Sequence, residues 1–167
     1  CNLIRLKNLL MKSPKLINFR EKSGNSLLHM ASESGCDAII EYLVKEGVSL
    51  KSRSHTGETA LHVAVRSGRI HTVECLLACG APVNLPNEEG DTALHIAWHL
   101  PQMIKILIMA GADPAAVAKA YEQNGVKMGA NSLVSGITEN EGGFWNQFIE
   151  AWINQGLLSN PATHALN

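Results

Sequence analysis

Three of the chain's seven histidines, His29, His62 and His95, fall at a fixed interval of 33 residues, and histidine is the side chain best suited to metal ligation and to proton transfer near neutral pH. Two closer pairs raise the same question. His95 and His99 in "HIAWH" stand at i and i+4, the spacing of a zinc-binding helix, and Cys75 and Cys79 share a helix face in the same way. Spacing argues against chemistry in each case. Side chains supplied once per structural unit, on helices that pack about 8–10 Å apart, cannot converge on one ion whose ligands lie about 2 Å from it. "HIAWH" lacks both the Glu of H-E-x-x-H and a clear third ligand, and the two cysteines read as small buried apolar residues. The chain has no G-x-S-x-G elbow, no G-x-x-x-x-G-K-[ST] loop and no G-x-G-x-x-G. The expectation is therefore no catalytic residue, no cofactor and no metal, with each histidine bonded to main chain of its own and the adjoining unit.

What positions these histidines is an octapeptide that recurs with them: "GNSLLHMA" at 24–31, "GETALHVA" at 57–64 and "GDTALHIA" at 90–97. A constant period of this size marks stacked units, none of which can bury its apolar face alone. Each period reads turn, helix, turn, helix. Gly57 allows a tight turn, Thr59 is a good N-cap, and "ALHVAV" begins a short apolar helix that Gly68 breaks. A second helix from about Ile70 carries Val73, Leu76 and Leu77 on one stripe and stops at Gly80. In the first period Gly35 breaks the chain, Ile39, Ile40, Leu43 and Val44 form the stripe, and Gly47 ends it. The third period is shortened: His95 to Gly111 is two residues less than His62 to Gly80, and Pro101 falls in the loop.

The 33-residue period, the three octapeptides and the helix-ending "EGVSL", "CGAPVN" and "AGADP" resemble the ankyrin repeat and its T-P-L-H-x-A signature. The resemblance implies an all-α ankyrin-repeat helical solenoid with short finger loops, made of repeats at 20–52, 53–85 and 86–114. Residues 1–19 align as the second helix of a partial leading repeat or an N-cap, and residues 115–167 as an atypical helical C-terminal cap or degenerate repeat. In that last part Trp145, Phe148, Ile149, Trp152 and Ile153 fall on one helical face. The signature proline is absent, replaced by Leu27, Ala60 and Ala93, so the turn and helix cap need another support.

The resemblance further implies protein binding at finger tips and first-helix ends. Carried over, the candidate positions are Arg20, Lys22, Arg53, His55, Glu88 and Glu89 at the tips, with Arg66, Trp98 and His99 at the helix ends. Their charge runs basic, basic, acidic, which suits a partner protein or peptide segment of matching polarity. Reversing Arg53 and Arg66 together is expected to weaken binding and leave thermal stability unchanged. The other reading is a targeting or substrate-recruitment module of a larger enzyme or secreted effector, with its catalytic region elsewhere.

Bulk properties agree with a folded, non-polyelectrolyte chain. Of 167 residues 46% are apolar, and 14 Lys and Arg face 15 Asp and Glu, so nothing in net charge points to nucleic acid. Charge is uneven, however: residues 1–22 carry Arg5, Lys7, Lys12, Lys15, Arg20 and Lys22 against Glu21 alone. No apolar run reaches the roughly 20 residues of a membrane span. Four cysteines without disulfide-scaffold spacing suggest a reducing, intracellular setting (cytoplasm or nucleus, or the host cytoplasm for a bacterial effector), and the chain is expected to be monomeric.

Overall fold

The chain divides into two compact units, Cys1–Ala116 and Val117–Asn167; the computed structural model describes residues 2–113, all in the first. The expected cap at 115–167, with Trp145 and Trp152, lies outside the described residues. Within them there are seven α-helices and no strand beyond an isolated antiparallel bridge between Arg20 and Ser26.

Helix α1 is Leu3–Lys12, followed by a 3-10 turn at Pro14–Asn18. The repeats supply α2 (Leu27–Ser34) with α3 (Asp37–Lys45), then α4 (Ala60–Arg66) with α5 (Ile70–Ala78), then α6 (Ala93–Ile96) with α7 (Pro101–Met109). Each second helix ends in the same way. The N–H groups of Val48, Ala81 and Ala112 reach back to the carbonyls of Leu43, Leu76 and Leu107 at 3.0, 2.9 and 2.9 Å, a Schellman closure around Gly47, Gly80 and Gly111.

The core repeats with the sequence. Leu28, Leu61 and Leu94 are buried on the first helices, and Leu43, Leu76 and Leu107 on the second, with Leu10 of α1 in the matching register. Each such side chain contributes about 1.5–3 kcal/mol when withdrawn from water, and because every layer touches only its neighbours, the contributions accumulate along the stack. Polar ties add direction between layers. Thr72 Oγ1 donates to Asp37 Oδ1 at 2.6 Å, linking α3 to α5, and Lys7 Nζ lies 5.0 Å from the centroid of the Tyr42 ring, linking α1 to α3.

The third repeat shows what its missing residues do. α6 has only four residues before the backbone tightens into a 3-10 turn at Ala97–His99, closed by Leu100 N–H on the Ala97 carbonyl at 2.7 Å. Pro101 then starts α7 at the first helical position, where its lack of an N–H is harmless. Cys36 is buried, and Cys75 and Cys79 are free thiols.

Candidate partner-binding face

The repeated histidine is part of a cap. At the N-terminus of α2 the Ser26 hydroxyl accepts the N–H three residues on, while the Ser26 N–H donates to His29 Nδ1 at 3.3 Å. Thr59 with His62 and Thr92 with His95 do the same at α4 and α6, at 3.1 and 3.2 Å. This reciprocal box caps each first helix although no proline stands at its first position. Because Nδ1 accepts, the proton of the neutral ring sits on Nε2. His29 Nε2 donates it to the Glu58 carbonyl at 2.8 Å, and His62 Nε2 to the Asp91 carbonyl at 3.1 Å, each one repeat along. Burial holds both imidazoles below the ordinary value of 6.5. With both nitrogens committed to the stack, neither ring is placed to bind a metal or shuttle a proton.

The fingers preceding the caps are stitched to one another. His55 N–H donates to the Ser23 carbonyl and Glu88 N–H to the Thr56 carbonyl, both at 3.0 Å. This contact is why the octapeptide begins with glycine. A Cβ on Gly24 would lie 2.7 Å from the His55 nitrogen, and one on Gly57 would lie 2.7 Å from the Glu88 nitrogen, with φ of +80° and +74° besides. Only a residue without a side chain tolerates both the approach and the left-handed backbone.

Arginine fills a periodic role on the same fingers. Arg20 donates to the carbonyls of Gly24 and Arg53 at 2.7 and 2.9 Å and to Ser52 Oγ at 2.6 Å. Arg53 donates from Nε to the Gly57 carbonyl at 3.0 Å and from Nη2 to the Pro86 carbonyl. The third finger has Pro86 at this position and is held instead by Asn87, a buried side chain whose Oδ1 accepts the N–H groups of Glu89 and Asp91 at 2.9 Å each.

The tip residues Arg20, Lys22, Arg53, His55, Glu88 and Glu89 are exposed, as are Arg66 and His99; Trp98 falls in the turn Ala97–His99. They are not equivalent, though. Arg20 and Arg53 are stacking clamps, and Arg66 donates both Nη groups to Glu58, a carboxylate with 9% side-chain exposure. The expectation that Arg53 and Arg66 can be reversed without loss of stability is thereby corrected: both side chains bond the scaffold, Arg53 through main-chain carbonyls and Arg66 through the Glu58 carboxylate. Lys22 and Glu89 project from their tips with side chains that the stack does not employ.

Glu58 is the residue of this face that sequence reasoning passes over. It sits inside the octapeptide where the other copies have Asn25 and Asp91, and the only signal is the arginine eight positions later. On the second helix, burial and then the neighbouring Cys79 push the Cys75 thiol up to about 11, which leaves almost no thiolate at neutral pH. Among the described residues no group of three His, Cys, Asp or Glu side chains could hold a metal ion.

Stacked helix pairs, a capping box repeated every 33 residues and fingers joined edge to edge define a repeat solenoid whose variable surface is its row of tips. The family model for ankyrin repeats, in three copies, matches residues 28–118, and the chain belongs to the ankyrin-repeat family. No curated protein matches it. Ankyrin repeats are generally protein–protein interaction modules and typically non-catalytic.

Proposed function

We propose that this chain binds a partner protein along its finger tips and first-helix ends, as a preorganised surface and without turnover. The observation that carries the reading is the ordered change of charge along the finger tips: Arg20, Lys22, Arg53 and His55 on the first two fingers, Glu88 and Glu89 on the third. A rigid surface loses little entropy on docking, and complementary fields set both orientation and rate of association. The partner segment carries acidic groups toward the first two fingers and basic groups toward the third. Arg66 keeps 56% side-chain exposure while paired to Glu58, so it contributes a hydrogen-bonding edge more than a net charge. Trp98 and His99 close the row at the shortened repeat.

A module of this kind also fits the recruitment arm of a larger enzyme or effector. Joining Lys22→Glu with Glu89→Lys flattens the charge order without touching a scaffold bond, since it takes a positive charge from the first finger and a negative one from the third. Affinity capture with this variant, beside the unaltered chain, is expected to lose the partner; an unchanged catch would remove the tips from the site.

A further inference from the structure

Cys75 and Cys79 stand five residues and one residue before Gly80, which closes α5. At the matching positions before Gly47 and Gly111 the chain has Tyr42 with Glu46 and Ile106 with Ala110, so the stack does not require sulfur at either place. The Cys79 N–H donates to the Cys75 carbonyl at 3.0 Å. That bond sets the two residues one helical turn apart, with side chains leaving the same face and β-carbons about 5–6 Å from one another. Both thiols are free and half-buried. Their surroundings are negative. The carboxylates of Asp37 and Glu41, on the neighbouring α3, act electrostatically on Cys75, and the pair ends at the C-terminus of α5, where the helix dipole places partial negative charge.

We infer that Cys75 and Cys79 form a two-sulfur site for a soft monovalent metal ion, copper(I). The number and type of ligands select that ion. Zinc takes four protein ligands in structural sites and three in catalytic ones, and no third His, Cys, Asp or Glu among the described residues completes such a set. His71, a turn before Cys75, faces Glu74 at 3.5 Å instead. Calcium and magnesium require oxygen ligands. Thiolates select copper(I), which is stable with two ligands in a line. Two sulfurs on opposite sides of such an ion lie about 4–5 Å apart, twice a metal–thiolate bond of roughly 2.3 Å, a span that matches side chains one turn apart. Binding breaks two S–H bonds, forms two Cu–S bonds and releases both protons to solvent, with no change of oxidation state at copper or sulfur. The site lies on a second helix, away from the finger tips, and does not rest on the partner-binding reading.

Anaerobic titration of the full 167-residue chain with copper(I), kept reduced by ascorbate and competed by bicinchoninate, tests it. The chain is expected to withhold one copper(I) from the chelator, and X-ray absorption is expected to show two sulfur neighbours and no nitrogen. Cys75→Ser and Cys79→Ser should each abolish the retention. Cys1→Ala with Cys36→Ala, which removes the chain's other two cysteines, should keep it. Because α3 and α7 form without sulfur at these positions, the serine variants should retain the helical circular dichroism spectrum, and the absorption measurement on the unaltered chain needs no variant at all. Copper(I) withheld equally by the Cys75→Ser, Cys79→Ser double variant would be adventitious uptake and would overturn the inference. So would complete transfer of the metal to bicinchoninate, or a bound copper with three or more ligands.

Discussion

Arg20 hydrogen-bonds the main-chain carbonyl of Arg53, the residue that holds its own position one repeat later, and Arg53 in turn bonds the carbonyl of Pro86. Two guanidinium groups thus tie three successive fingers, and the ladder stops where proline replaces the third.

Arg53→Glu is therefore expected to destabilise the stack by about 1 kcal/mol, the value of a charge-assisted hydrogen bond discounted for exposure. Lys22→Glu, two residues past the Arg20 clamp, should stay within about 0.5 kcal/mol of the parent. Chemical denaturation of the two variants in parallel checks the difference; equal midpoints would contradict the ladder.

Arg66→Met removes the partner of a carboxylate that is nearly withdrawn from solvent. Glu58 then faces an uncompensated burial, and a loss of about 1–3 kcal/mol is expected. Glu58→Gln made in the same background should recover part of that loss, a coupling that a double-mutant cycle measures directly.

Gly57→Ala and Gly68→Ala separate two reasons for a glycine. Both positions have positive φ, +74° and +64°, but only at Gly57 would a Cβ meet the neighbouring backbone; at Gly68 nothing lies within 4 Å. Gly68→Ala should cost about 1–2 kcal/mol for the left-handed conformation alone, and Gly57→Ala measurably more. Equal melting temperatures for the two would contradict the close approach of the fingers.

His29 and His62 make stability depend on pH. Their folded values are lowered by burial from an ordinary 6.5, so the unfolded chain takes up protons first as pH falls. The stability they confer is fully present above about pH 6.5 and is lost as pH drops from there toward their folded values, at up to about 1.4 kcal/mol per pH unit for each group. Denaturant midpoints measured from pH 8 to pH 5 should fall in the acidic half, and His62→Gln should flatten the slope.

Much of this is legible in the sequence because repetition multiplies every signal. The period places Leu28, Leu61 and Leu94 in the core. The third repeat is readable only in part: two residues fewer and Pro101 point to a shortened loop, whereas the structure shortens α6 itself and places Pro101 at the start of α7. What escapes is the use of polar side chains across 33 residues. Arg53 looks like surface charge in the sequence, since an exposed head that reaches a carbonyl of the next finger differs from a solvated one only in three dimensions. Glu58 escapes for the opposite reason: a carboxylate is expected in water, and only Arg66 folding back from the end of α4 lets it be buried. The order of charge on the tips was readable, but which charges remain available to a partner was not.

The most direct test of the account is to compare the unaltered chain with the Lys22→Glu, Glu89→Lys double variant in affinity capture, with the thermal melt of each recorded alongside. The account predicts melting curves that superpose and a partner protein retained by the first and lost by the second. A partner held equally by both, at unchanged stability, would contradict recognition at the finger tips.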